Sequence, residues 1–123
     1  DGCHLGQKDM NIFDARKLIG NKLIGITCHN SIKLASIAVK NKASYIAFGA
    51  FNSSKTKKIK HKASINLLKK AKKVTKTPIV AIGGIDSKNY KKLLLNKANF
   101  LAISGYIWNN KKLKAVEAIK KLK

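Results

Sequence analysis

The chain has 123 residues and a formal net charge of +22, with 27 Lys and Arg against 5 Asp and Glu. That length suits one domain able to bury its own core, the 45% hydrophobic content excludes a disordered polymer, and no run approaches the roughly 18 to 20 apolar residues of a membrane span. The charge raises nucleic-acid binding as a reading, but Arg16 is the sole arginine, lysines are spread over every expected helix, and Phe48, Phe51 and Phe100 lie in apolar runs where no base could stack; a lysine-rich solvated surface accounts for the charge better.

Five apolar runs alternate with segments of helical period. The runs are Cys3 to Leu5, Leu23 to Thr27, Tyr45 to Phe51, Ile79 to Ile82 and Phe100 to Ser104, and the helical segments are Ile12 to Ile19, Ile32 to Val39, Ala63 to Val74, Asn89 to Leu95 and Leu113 to Leu122. Ser31 and Ser87 are expected N-caps, and Gly20-Asn21, Asn41-Lys42 and Asn96-Lys97 are expected helix stops. Strict β-α alternation implies an α/β fold with a parallel sheet and right-handed crossovers. An open doubly wound sheet and part of a (β/α)8 TIM barrel both fit; polar residues after nearly every run favour the barrel. A typical barrel needs about 250 residues, and the chain opens on DGCHLG at Asp1 without an initiator methionine. It is therefore expected to be the C-terminal part of a barrel, a single partial domain of about five strands over residues 1–123 whose N-terminal strands lie elsewhere.

In a parallel sheet, ligands bind where the strands end. Tyr45 to Lys57, YIAFGAFNSSKTK, carries an apolar strand into a loop in which Ser53, Ser54 and Thr56 offer hydroxyls and Lys55 or Lys57 offers charge to a phosphate or pyrophosphate. Ile79 to Ser87, IVAIGGIDS, ends a strand on Gly83-Gly84, whose backbone can approach an anion closely. Ser104-Gly105 closes the following strand. Asp9 follows the first strand and is either a helix N-cap or a single carboxylate of the kind that holds Mg²⁺ together with substrate phosphates and water. Asp86 is expected to shape the turn after Gly84, Asp14 and Glu117 to lie on exposed helix faces, and Trp108 to pack the final helix onto the sheet. His4 and His29 fall at strand ends without a partner at triad or zinc spacing, and His61 lies in a lysine-rich loop. Cys3 and Cys28 have no metal spacing and are expected to be reduced thiols of a cytoplasmic protein.

Taken together, DGCHLGQKD, GITCH, YIAFGAF, SSKTK and PIVAIGGI, in this order and spacing, resemble thiamine phosphate synthase over nearly the whole chain. The resemblance implies a (β/α)8 transferase of thiamine biosynthesis that joins hydroxymethylpyrimidine pyrophosphate to hydroxyethylthiazole phosphate with Mg²⁺ as cofactor, releasing pyrophosphate. It implies Asp9 as metal ligand, Thr27 at a serine position of the family's strand end, and Ser54, Thr56 and Lys57 on the pyrophosphate, with Lys57 and Thr27 catalytic. It also implies that the Gly84 amide, Ser104 and Gly105 bind the thiazole phosphate. The family's pyrimidine-binding Q-x-R-x-K strand and N-D metal pair would precede Asp1, so the chain by itself is expected to be inactive.

Two other readings stay open. A thiazole tautomerase-like barrel shares the fold and one phosphate site, but needs neither Asp9 nor the Ser54 to Lys57 loop. A non-enzymatic basic phosphate- or nucleic-acid-binding module would use charge alone. The expected partners are small-molecule substrates, with no specific nucleic acid and no membrane; homo-oligomerisation is left open.

Overall fold

The structure, a computed structural model, describes residues 1–52 and 61–123. Its order is β1 (Gly2–Leu5), α1 (Ile12–Ile19), β2 (Leu23–Thr27), α2 (Ile32–Lys40), β3 (Tyr45–Phe48), α3 (Ile65–Val74), β4 (Ile79–Ile82), α4 (Tyr90–Leu95), β5 (Phe100–Ala102), α5 (Gly105–Trp108) and α6 (Ala115–Lys120). The five strands pair in parallel in the order β1-β2-β3-β4-β5. A doubly wound sheet reverses its strand order at a switch point and places helices on both faces. Here each strand follows the last without reversal, and one face takes the helices. Ile24 and Ile26 of β2, Ile46 and Phe48 of β3, and Ile79 and Ala81 of β4 share a core with Ala15 of α1, Ala35 and Ala38 of α2, Leu67, Leu68 and Ala71 of α3, and Leu93 of α4. This winding is that of a barrel wall.

The core is built from the period-2 face of each strand against the apolar stripe of each helix. Phe48, Ile24, Ile46, Leu68 and Ile79 are its largest fully buried side chains, each contributing about 1.5–3 kcal/mol on burial. The opposite face carries Gly2 and His4, Leu23, Gly25 and Thr27, Tyr45, Val80 and Ile82, and Phe100, as the pairing register requires. There Leu23, Ile82 and Phe100 stay 58, 45 and 59% exposed.

Helix ends follow local chemistry. Asn11 caps α1 by accepting from Asp14 N at 3.0 Å, and Ser31 caps α2 by accepting from Leu34 N at 3.2 Å. Asp9 is thus not the α1 cap, because the helix begins three residues later. Ser87 does not cap α4 either; Asp86 Oδ1 instead accepts from Lys88 N and Asn89 N at 2.8 and 3.1 Å, closing the turn as expected. Gly20, Asn41 and Asn96 end their helices, and the lysines after the two asparagines take positive φ. The third and fifth strands stop earlier than their apolar runs, at Phe48 and Ala102, and the residues after Ala102 turn into the short α5, which has no apolar period to announce it. Trp108 at its end is 72% exposed and does not pack the final helix onto the sheet.

Candidate active site

Parallel pairing brings the C-terminal ends of all five strands to one edge. β4 and β5 pair Ile82 with Ala102, so Gly84 and Ser104, each two residues further on, leave neighbouring strands at the same level. Gly83 and Gly84 take φ of 102° and 58°, a backbone that side chains rarely adopt. Gly83 is also sterically required, since a Cβ there would lie 2.4 Å from Ala50 Cβ. Asn89 Nδ2 donates to Gly84 O at 2.9 Å, bracing the turn through its carbonyl.

The loop after β3 begins beside this turn. Phe51 N donates to Ile82 O at 3.3 Å and Asn52 N to Gly83 O at 3.2 Å. Its return is fixed next door: Ala50 N donates to His61 O and Ala63 N to Ala50 O, both at 2.8 Å. Gly49 N donates to His29 O at 3.0 Å, and the His29 and His61 rings stack with centroids 4.1 Å apart. Both stems of the loop therefore stand on the strand-end edge between β2 and β4. Ser53, Ser54, Lys55, Thr56 and Lys57, the expected pyrophosphate ligands, lie outside the described residues.

Across β1, β2 and β3 a hydrogen-bonded group forms that periodicity alone did not reveal. His4 Nε2 lies 2.8 Å from Thr27 Oγ1 and His4 Nδ1 lies 3.0 Å from Tyr45 Oη, with the His4 and Tyr45 rings stacked at 5.5 Å. His4, Gly25 and Tyr45 occupy one row across three strands, a span of about 9.6 Å at ordinary strand spacing. The signal that could have found it is the missing side chain at Gly25 between two polar rings. Burial against these neighbours lowers the His4 pKa despite an opposing pull from Asp9; the residue as a whole remains exposed, the crowding being local to the ring. His29 is likewise lowered, by burial and then by His61. Cys28, beside His29 in sequence, points instead into the core, where its thiol is pushed up to about 12, so it forms no reactive pair with His29.

Asp9 stands past the end of β1. Its Oδ2 accepts from Gly6 N at 2.6 Å, and Oδ1 has no hydrogen-bond partner among the described residues. Those residues contain no group of three or more His, Cys, Asp or Glu able to cage a metal. One carboxylate oxygen fits Mg²⁺ whose remaining positions are filled by other oxygens, such as those of substrate phosphate and water.

Comparison with known proteins agrees with this arrangement. The family model described as thiamine monophosphate synthase matches residues 1–107. The chain is 68% identical over 123 residues to a thiamine-phosphate synthase of Pelagibacter ubique (strain HTCC1062), covering 100% of this chain and 59% of that protein. It is 40% identical over 111 residues to that of Rhodospirillum centenum (strain ATCC 51521 / SW), covering 89% and 54%. Among solved structures, a thiamine phosphate pyrophosphorylase from Pyrococcus furiosus superposes with a TM-score of 0.87 at 27% identity, over 99% of this chain and 57% of that one. A 3-hexulose-6-phosphate synthase, at 15% identity and a TM-score of 0.69, shares the fold alone. The chain spans somewhat more than half the length of these relatives. Strand order, diglycine turn and sequence match lead to one family, and the chain belongs to the thiamine monophosphate synthase family.

Proposed function

We propose that this chain supplies the pyrophosphate and thiazole-phosphate side of a thiamine phosphate synthase active site, acting in the cytoplasm to join hydroxymethylpyrimidine pyrophosphate to hydroxyethylthiazole phosphate. One observation supports this reading above the others: the Asn52 N to Gly83 O hydrogen bond of 3.2 Å ties the stem of the hydroxyl- and lysine-rich loop to the diglycine turn. Two anion-binding segments from successive strands thereby start from one point, as a reaction between two phosphorylated substrates requires. A tautomerase needs one anion site, and a basic module that binds by charge alone needs no positive-φ glycine pair at a strand end; the adjacency favours the synthase over both.

Pyrophosphate leaves readily only when its developing charge is neutralised. In this reading the Lys57 ammonium and the hydroxyls of Thr27, Ser54 and Thr56 do this. The Gly84 N–H, Ser104 and Gly105 hold the thiazole phosphate so that the ring nitrogen faces the pyrimidine methylene as its bond to pyrophosphate breaks. Electrons pass from the thiazole nitrogen to the methylene and from the methylene to the departing oxygen; no protein group is bonded to substrate. Asp9 would hold Mg²⁺, which when bound would supply further charge neutralisation. Positioning and electrostatics carry the rate. Pyrimidine recognition is assigned to residues outside this chain.

Steady-state kinetics of the complete enzyme test the division of labour. Lys57→Ala should lower turnover about 10² to 10³-fold, the cost of losing one preorganised electrostatic group. Gly84→Val should chiefly raise KM for the thiazole phosphate. Variants that both act on the same substrate, or on neither, would contradict the two-anion assignment.

A further inference from the structure

We infer that Tyr45 and His4 are positioning residues that set the direction of the Thr27 hydroxyl: Tyr45 donates its phenolic proton to His4 Nδ1, His4 donates its Nε2 proton to Thr27 Oγ1, and the Thr27 hydroxyl proton is left for a phosphate oxygen. The inference rests on the reading of Thr27 as a pyrophosphate ligand proposed above.

Both ring nitrogens of His4 face a hydroxyl, at 3.0 Å for Tyr45 and 2.8 Å for Thr27. A neutral imidazole has one donor and one acceptor nitrogen, so the three groups can be ordered in only two ways. In the reverse order Nδ1–H donates to Tyr45 and the Thr27 hydroxyl donates to Nε2. Thr27 would then present only lone pairs to an anion and repel it. The acidities decide between the two. A phenol, with a pKa of about 10, is a stronger donor than an aliphatic hydroxyl, so the acceptor nitrogen of His4 belongs opposite Tyr45. Burial of the ring keeps His4 neutral at ordinary pH against the pull of Asp9.

The geometry holds this order in place. Gly25 sits in the same row between His4 and Tyr45, and its missing side chain is the space the Tyr45 ring fills; a Cβ there would lie 2.4 Å from Tyr45 Oη. The ring stacks on His4 with an interplanar angle of 25°, which aims the phenol at Nδ1. Gln7 Nε2 donates to Thr27 O and fixes the backbone from which the hydroxyl projects. Three strands thus combine to give one hydroxyl a defined donor direction, which a threonine facing water would lack.

The test reads the tautomer directly and the anion separately. In the full chain labelled with ¹⁵N-histidine, long-range ¹H–¹⁵N correlation at about pH 8, where histidine is neutral, should show His4 protonated at Nε2, the signal being assigned by its loss in His4→Gln. Tyr45→Phe keeps the ring and its packing, and should shift His4 toward the Nδ1–H form. In titrations with inorganic pyrophosphate and Mg²⁺, Thr27→Val should weaken binding about tenfold, the worth of one hydrogen bond to a charged group. Tyr45→Phe should weaken it severalfold, and the double variant no further than Thr27→Val alone. His4 protonated at Nδ1 in the wild type, or a tautomer indifferent to Tyr45→Phe, would overturn the relay whatever the site binds. An Nε2–H tautomer with pyrophosphate affinity unchanged by Thr27→Val would overturn the pyrophosphate role of Thr27, and the inference with it.

Discussion

Gly25 is what allows Tyr45 to cross β2: the two residues pair in register, and a methyl group at Gly25 would lie 2.0 Å from Tyr45 Cζ. Gly25→Ala must therefore displace the ring and break its contact with His4. A cost of about 2–3 kcal/mol is expected from overpacking. Because the clash is with one side chain, the same substitution in a Tyr45→Ala background should cost much less. Urea denaturation of the four proteins of the cycle measures the coupling; equal costs in both backgrounds would show that Gly25 is needed for another reason.

Arg16, the sole arginine, closes the opposite edge of the sheet. Its Nη1 donates to Gly20 O and Lys22 O, both at 2.6 Å, and its Nη2 to Lys42 O at 3.1 Å, so one guanidinium joins the loops before β2 and after α2. An ammonium cannot span three carbonyls in this way. Arg16→Lys is expected to cost about 1–2 kcal/mol and Arg16→Ala about 2–3 kcal/mol, read as shifts of the urea midpoint without change of slope.

Charge repulsion should dominate the salt response. Among the described residues a single salt bridge is present, Lys17 to Asp14 at 3.8 Å between exposed groups, against a net charge of +22. Raising NaCl from about 0.01 M to about 0.2 M shortens the screening length from about 30 Å to below 10 Å. Thermal melting should move upward across that range. A fall would mean that attractive pairs outweigh the repulsion.

The stacked pair His29 and His61 predicts a pH effect. The His29 pKa lies below its ordinary 6.5 because burial and His61 disfavour the imidazolium. A depressed histidine contributes stability that is complete above the unfolded value of about 6.5 and is lost as pH falls toward and through the folded value. Melting temperature should therefore decline between about pH 7 and about pH 5, above the range of ordinary carboxylates. His29→Gln should flatten that decline; an unchanged slope would remove His29 as its source.

Thiol labelling should separate the two cysteines. Cys28 is fully buried with its thiol pushed up to about 12, while Cys3 is half-buried. A thiolate-directed reagent at neutral pH should modify Cys3 and leave Cys28 intact in the folded chain, as peptide mass mapping would show. Equal labelling of both would contradict the burial of Cys28 just after β2.

Much of this architecture was legible in the sequence because local chemistry and global winding agree. Leu23 to Thr27 and Ile79 to Ile82 are short apolar runs between turn residues, and both are strands with the expected bounds. Gly20, Asn41 and Asn96 stop helices where their backbone preferences require. The choice of barrel wall over doubly wound sheet needed the strand order, since β-α alternation is common to both. What escaped were features made by register: Tyr45 meets His4 only because Gly25 stands between them, and His61 meets His29 only because the loop returns beside β2. Trp108 departs from its expected place for the converse reason. Its position after the last strand suggested a contact between the final helix and the sheet, but Trp108 ends the short α5 and stays 72% exposed. The Ser54 to Lys57 loop was read from composition and family resemblance, and the structure speaks only to its stems.

The most direct measurement exchanges this chain for the matching segment of the 68% identical relative, and follows release of pyrophosphate from hydroxymethylpyrimidine pyrophosphate with and without hydroxyethylthiazole phosphate. Thiazole-dependent release in the parent's range, lost on Lys57→Ala, is the predicted result. A chimaera that folds but releases no pyrophosphate in response to the thiazole would contradict the proposed function.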